Sequence, residues 1–349
     1  MKIGIIADTN LWSGGGLGDW IRTLPTYLSS RHEFLVLTAN RGLQVERDFE
    51  IPQTATAASF DTLSSTTVPK VRDWYKLRQL YEVCDVIYYP YNANLLNHIN
   101  LILQSLCMKA VIVGYHTPFS TKSLYKPNRL FRAHHVLNDI DRGILEGRRF
   151  RCIFKIPNGV DCSLYRPGNK SDKFSILFLG RLESSKGANL LPLLLHRLNK
   201  EIADYRLMIA GFGSLTILTR ALSEDPHVEW FGYVSGETKR NIISSSHVLL
   251  SLSPRETFML SGIEAMASGT PVIAIDAAGP REYVQNEKNG YLVSNMEELL
   301  NKIRCMFLCW KFDRGYWEFA RNSRTTALNF DWKVVSPKLE TMFLAVSKM

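Results

Sequence analysis

The chain has 349 residues, and at roughly 150 residues per domain it is long enough for two domains, each with its own core. With 46% hydrophobic and 21% charged residues it has the composition of a packed globular protein, which excludes the disordered and fibrous classes. Lysine plus arginine number 42 against 33 acids, a net charge of +9, which favours an anionic partner (a phosphate ligand, a nucleic acid or a membrane surface) without choosing among them.

The opening MKIGIIADTN is apolar for only a few residues before Asp8, and no later apolar run reaches the roughly 18 residues of a membrane span. The expectation is a cytoplasmic protein with at most peripheral membrane contact. Short apolar, β-branched runs then alternate with helical patterns, the signature of parallel sheets covered by helices. In the first half the strands are expected at Lys2 to Ala7, Glu33 to Thr38, Asp85 to Tyr89, Ala110 to Tyr115 and Cys152 to Ile156. In the second half they are expected at Ser175 to Leu179, Arg206 to Ala210, His247 to Leu252 and Pro271 to Ile275. The turn-rich stretch from Asn158 to Asp172 reads as the linker. In the tail, Val335, Leu339, Met342, Phe343 and Val346 form an apolar helical stripe, with a start near Ser336 or a kink at Pro337.

The six cysteines are scattered and form no Cys-x-x-Cys, which fits free thiols better than a zinc site or a disulfide framework. Cys305 and Cys309, one helical turn apart, are expected on a buried face. After the first strand, Gly14-Gly15-Gly16-Leu-Gly18 precedes a helix, where clustered glycines let a phosphate or sugar approach the backbone. A flexible turn is the alternative. Position 19 is Asp, so a Rossmann dinucleotide fingerprint is incomplete and nicotinamide binding is not expected. Residues 121 to 155 hold nine lysines and arginines against three acids, +6 of the total charge. The interleaved Leu124, Tyr125, Leu130 and Phe131 suit an anionic membrane surface, with a solvated basic face as the alternative. No recognised nucleic-acid module accompanies this segment, so nucleic-acid binding is not expected.

In the second half, Gly180-Arg-Leu-Glu-Ser-Ser-Lys186-Gly187 follows a strand and opens a helical run. Such a turn offers backbone donors and two cations to a phosphate, or else it is a polar loop with solvated cations. Gly211-Phe-Gly213 repeats the glycine turn after the next strand. The strongest signal spans Glu256 to Glu264, two carboxylates eight apart. Amides around Phe258, Met259 and Leu260 at a helix start suit a phosphate, while Glu264, set in the apolar run Ile263 to Ala267, suits ribose hydroxyls.

These motifs in series, Ile156 to Asp161, Gly180 to Gly187, Ala210 to Gly213, Phe231 to Val234, Glu256 to Glu264, Gly269 to Val272, Ala278 to Glu282 and Asn289 to Val293, resemble those of the family 4 glycosyltransferases. The resemblance implies an α/β GT-B fold, two Rossmann-like doubly wound domains facing a cleft. It places an acceptor-side domain at 1–165, with the helix in 331–349 packing back on it, and a nucleotide-sugar donor domain at 166–330. It implies transfer of a hexose-type sugar from a nucleotide-diphosphate donor to an acceptor hydroxyl with retention, on a sugar, glycan or lipid-linked acceptor. Arg181 and Lys186 would neutralise the diphosphate, Glu264 would bind ribose, Glu256 would lie near the sugar or its phosphate, and Gly15, Gly16 and Gly211 would border the donor.

His116, after the strand Ala110 to Tyr115, matches a histidine that similar enzymes hold near the reacting sugar; a loop histidine satisfied by backbone is the alternative. The family often has glycine at the position of Met259, which implies altered packing here. Asp139-Ile-Asp141 has the spacing of a metal-binding Asp-x-Asp, but helix capping and first-turn acids explain it more simply. His134 and His135 read as residues at the start of a strand rather than a metal pair. Neither a metal nor a cofactor is expected, the nucleotide sugar being a co-substrate. A nucleotide-sugar epimerase or hydrolase of the same fold and a non-catalytic basic binding protein remain as other readings.

Overall fold

The computed structural model describes residues 1–7, 16–28, 30–39, 58–63, 71–90, 95–119 and 126–349. The chain divides into two compact units, residues 1–159 with 332–349, and residues 160–331.

The first unit holds a seven-stranded, wholly parallel sheet. Its strands are β1 (Lys2–Ala7), β2 (Glu33–Ala39), β3 (Ala58–Leu63), β4 (Val86–Pro90), β5 (Ala110–Tyr115), β6 (Ala133–Val136) and β7 (Ile153–Lys155), in the spatial order β3-β2-β1-β4-β5-β6-β7. The helices are α1 (Gly16–Leu28), α2 (Val71–Val83), α3 (Leu95–Cys107), α4 (Asp139–Gly147) and, from the end of the chain, α11 (Trp332–Ser347). Continuous apolar runs such as Ala110 to Tyr115 are buried along their whole length, as a sheet covered on both faces requires. β3 is absent from the sequence expectation because Ala-Ser-Phe-Asp-Thr-Leu is half polar and lacks the continuous apolar, β-branched run of the other parallel strands. His134 and His135, expected at a strand start, are the second and third residues of β6 and alternate across the sheet.

The tail helix begins at Trp332, not near Ser336, so Pro337 lies inside it. The reason is packing: Trp332 is buried, stacks on Tyr27 at 5.4 Å between ring centroids, and occupies space where a Cβ on Gly159 would come within 2.4 Å of its ring. Val335, Leu339, Met342, Phe343 and Val346 extend that contact into the core formed by β1, β4 and α1. Anchoring this buried face offsets one missing backbone hydrogen bond.

The second unit holds a six-stranded parallel sheet in the order β10-β9-β8-β11-β12-β13. The strands are β8 (Phe174–Leu179), β9 (Tyr205–Ala210), β10 (Val228–Gly232), β11 (Val248–Ser251), β12 (Val272–Ile275) and β13 (Gly290–Val293). They alternate with α5 (Leu191–Glu201), α6 (Thr216–Ala221), α7 (Gly236–Ser245), α8 (Leu260–Ala267), α9 (Met296–Lys311) and α10 (Tyr316–Leu328). On α9 Cys309 is half-buried but Cys305 is exposed, because the core side of that helix is taken by Leu299, Ile303 and Met306.

This unit begins at Val160, before the expected start at Arg166. Residues 160 to 165 are tied to its far end: the Val160 amide donates to the Phe330 carbonyl at 2.9 Å, and the Arg324 guanidinium donates to the carbonyls of Cys162, Tyr165 and Ala267 at 2.9, 2.7 and 2.6 Å.

Lys170 turns its ammonium inward to the Ser246 carbonyl at 2.6 Å and the Thr270 hydroxyl at 2.7 Å, joining the entries to β11 and β12. Burial lowers its pKa to about 7. Between that value and the ordinary lysine value the unfolded chain binds more protons than the folded one, so Lys170 makes stability rise with pH across that window. The urea midpoint of the wild type should therefore gain on that of Lys170→Met between pH 7 and pH 9. A gap independent of pH would contradict this assignment.

Candidate functional site

In the second sheet the chain leaves β8 outward through β9 and β10, then returns to the other side of β8 with β11. At such a reversal the turns after the two central strands diverge and open a crevice at the carboxyl edge. Four turns meet there, and glycines set how closely they approach.

Gly211 has φ +151°, and a Cβ on it would lie 1.8 Å from the Gly180 carbonyl oxygen. Gly187 has φ +76°, with Leu252 backbone 2.5 Å from the position of a Cβ. Only glycine meets both demands. The contacts are fastened by hydrogen bonds: the Leu182 amide donates to the Phe212 carbonyl at 3.0 Å, and the Ser253 hydroxyl donates to the Ser185 carbonyl at 3.0 Å. The turn after β12 joins through the Gly279 amide, 2.8 Å from the Glu256 carbonyl.

This packing brings Lys186, on the turn after β8, to Glu256, on the turn after β11, with Nζ and Oε1 2.6 Å apart. Glu256 is buried and Lys186 half-buried. One turn of chain away from this pair, Arg181 is exposed and holds Glu183 at 3.0 Å instead of joining Lys186.

Glu264 lies on α8, buried, and its Oε1 accepts from Lys239 Nζ of α7 at 2.7 Å. Lys239 thus supplies the compensation that the sequence reading assigned to ribose alone. The second carboxylate oxygen, Oε2, is buried and meets no donor in hydrogen-bond geometry. The Tyr165 ring completes this corner, 5.7 Å from the Lys239 ammonium; burial first, and the Glu264 carboxylate second, raise its phenol above the ordinary range. A buried carboxylate oxygen without a donor is costly unless a ligand supplies one.

Between the two carboxylates stands the amino end of α8. Phe258 is buried against Tyr283 and Phe330 and serves as a packing anchor. Met259 adopts φ +63°, ψ +75°, a left-handed conformation that costs a non-glycine residue about 1–2 kcal/mol. Here the Tyr283 hydroxyl holds the Met259 carbonyl at 2.9 Å, and Gly262 leaves room for the thioether, since a Cβ there would lie 2.2 Å from Met259 Cε. No side chain caps this helix, and the Gly262 amide already donates to the Met259 carbonyl at 3.0 Å, so the amides of Leu260 and Ser261 and the positive dipole end stand available to an anion.

His116 belongs to the first unit, just beyond β5. Its Nε2 is 2.7 Å from the Tyr88 hydroxyl, and its ring lies 4.9 Å from that of Trp20. Burial, and then the neighbouring His135, push its imidazolium pKa well down, so the ring is neutral. Gly16 is the exposed first residue of α1, and Gly15 lies outside the described residues. The cap of α4 is Asn138, whose side chain accepts from the Asp141 amide. Of the two acids that follow, Asp139 pairs with Lys155 at 2.6 Å and Asp141 accepts from the Asn138 amide group at 2.7 Å.

Two doubly wound parallel sheets, the second with this edge, define the GT-B glycosyltransferase fold. Residues 165–323, most of the second unit, match the family described as glycosyl transferases group 1. The chain is 35% identical over 134 residues to an uncharacterized glycosyltransferase of Methanocaldococcus jannaschii, covering 36% of this chain and 33% of that one. It is 27% identical over 203 residues to the phosphatidyl-myo-inositol mannosyltransferase of Mycolicibacterium smegmatis, covering 55% and 52%. The matched stretches thus span between a third and about half of these curated relatives. Among solved structures, Anabaena HepE in complex with UDP superposes with a TM-score of 0.78 at 18% identity, covering 99% of this chain and 100% of that one.

Gly211→Ala should destabilise the protein by roughly 1–3 kcal/mol in urea unfolding, because the added methyl drives the two turns apart. A wild-type midpoint would show that the turns do not hold the edge together.

Proposed function

We propose that the chain is a glycosyltransferase that moves a hexose-type sugar from a nucleotide-diphosphate donor to an acceptor hydroxyl, with retention and without a metal. The observation that carries the reading is the pairing of two buried carboxylates with two lysines around an uncapped helix start at the reversal of the second sheet. The diphosphate takes the amides of α8 and the charge of Lys186, which Glu256 holds in place. Arg181 adds its charge by leaving Glu183, a surface pair worth little. Glu264 Oε2 accepts a ribose hydroxyl, and Lys239, donating to Oε1, holds the carboxylate in orientation.

As the bond to the anomeric carbon breaks, negative charge grows on the leaving phosphate. Groups already aimed at that charge stabilise it without reorganisation, and they supply the positive charge that a metal would otherwise bring. In front-side attack the departing phosphate itself accepts the acceptor proton, so no side-chain nucleophile is needed. His116 hydrogen-bonds a sugar hydroxyl as a neutral ring.

The acceptor is proposed to be lipid-linked or a cell-surface glycan intermediate, in keeping with the relative that acts on phosphatidyl-myo-inositol. No helix among the described residues is long and apolar enough to cross a membrane. Peripheral contact at the cytoplasmic face would come through 121–155, where Arg129, Arg132, Arg149 and Arg151 are exposed.

Titration calorimetry with UDP, GDP and ADP should find at least one ligand. Lys186→Ala and Glu264→Ala should each weaken it roughly tenfold to a hundredfold, the worth of a hydrogen bond to a charged group. A donor panel with mass spectrometry of products on lipid extracts then identifies the transfer; acceptor-independent consumption of donor would favour a hydrolase or epimerase, and no nucleotide binding at all would refute the reading. Sedimentation with phosphatidylglycerol vesicles should retain the wild type and lose most of an Arg129→Glu/Arg132→Glu variant, at about 1 kcal/mol per basic residue. Equal retention on neutral phosphatidylcholine vesicles would contradict the electrostatic contact.

A further inference from the structure

The first sheet contains a buried polar chain that crosses three strands. His135 Nε2 on β6 lies 2.8 Å from the Ile156 carbonyl, its Nδ1 lies 2.7 Å from the Tyr88 hydroxyl on β4, and the same hydroxyl lies 2.7 Å from His116 Nε2 beyond β5. Gly114 on β5 lies between these strands, paired with Pro90 on one side and His135 on the other. A Cβ at Gly114 would sit 1.9 Å from the Tyr88 oxygen, so this glycine is the notch through which the hydroxyl reaches both rings.

The proton positions follow from the donor inventory. A carbonyl only accepts, so His135 carries its proton on Nε2 and donates to Ile156. Burial lowers the His135 pKa to about 4, so the ring is neutral and its Nδ1 is a bare acceptor. The single Tyr88 proton therefore points to His135, and the phenol is held neutral because burial raises its pKa. The Tyr88 oxygen can then only accept from His116, which places the His116 proton on Nε2.

We propose that Tyr88 and His135 are positioning residues that lock His116 in its Nε2–H tautomer and so present a bare Nδ1 as hydrogen-bond acceptor to a sugar hydroxyl. Among the described residues Nδ1 meets no donor, and the ring is half-buried, with Trp20 against it. A ring free to change tautomer would offer a donor in part of the population and repel the hydroxyl proton it should receive. The choice of ligand rests on the reading of His116 as a sugar contact, whereas the tautomer rests on this chain alone.

Two-bond nitrogen–proton correlation spectra of histidine-labelled protein at neutral pH read each ring's tautomer directly. The wild type should show His116 and His135 both as neutral Nε2–H rings. In Tyr88→Phe the His116 signals should shift to a mixture, and in an active preparation kcat should fall at least tenfold with donor KM within about twofold, about 1.4 kcal/mol in the barrier. If Tyr88→Phe fails to fold, His135 carries the test. His135→Asn, whose side-chain oxygen can replace Nδ1 as acceptor, should keep the wild-type His116 pattern, and His135→Leu should lose it. An Nδ1–H His116 in the wild type, or a pattern unchanged in Tyr88→Phe and His135→Leu, would overturn the proposal. Failure of the transferase reading would appear instead as absence of product in the donor panel, with the spectra unchanged.

Discussion

Backbone-to-backbone contact at the carboxyl edge of the second sheet is the constraint on which the candidate site depends. Gly211 against Gly180, Gly187 against Leu252 and Gly279 against Phe258 leave no room for a Cβ, so the four turns pack closer than side chains allow. That approach is what brings Lys186 within 2.6 Å of Glu256, a residue 70 positions later. It also explains why Met259 is held in a left-handed conformation: the turn into α8 is fixed from both sides, by Gly279 against Phe258 and by the Tyr283 hydroxyl on the Met259 carbonyl. Local strain of this kind persists where the surroundings over-determine it, as they do at binding sites.

The two units place polar groups by different means. In the second, charges face each other across turns and are kept by partial burial: Lys186 on Glu256 and Lys239 on Glu264. Such pairs contribute little net stability, because desolvation offsets much of their attraction, but they hold ionised groups at defined positions. In the first unit the groups are neutral: His116, Tyr88 and His135 are joined by hydrogen bonds in which every proton has one place to go.

Most strands of both sheets were legible because buried parallel strands leave apolar runs, and the carboxyl-edge turns were legible because glycines and charges recur at fixed offsets within them. Lys239 was not legible. It stands in Glu237-Thr-Lys-Arg240, an ordinary polar helix face, and only the packing of α7 beside α8 gives it a partner. Tyr88 and His135 sit in apolar strands, where an aromatic residue reads as core; their roles arise from the strand order, with β5 between β4 and β6. Arg181 shows the converse, a residue flagged by a motif whose side chain rests on Glu183. The helix start at Trp332 escaped notice for a related reason: proline is a local signal, and the contact of Trp332 with Gly159 is not.

In the proposed reading the amino end of α8, Lys186 and Glu264 together receive a nucleoside diphosphate. A crystal structure of the protein soaked with UDP, GDP and ADP in turn tests it most directly. Diphosphate density is expected against the first amides of α8 and within reach of the Lys186 ammonium, with a ribose hydroxyl on Glu264 Oε2. Density for the nucleotide at any other edge of the second sheet, with Glu264 Oε2 still without a donor, would contradict it.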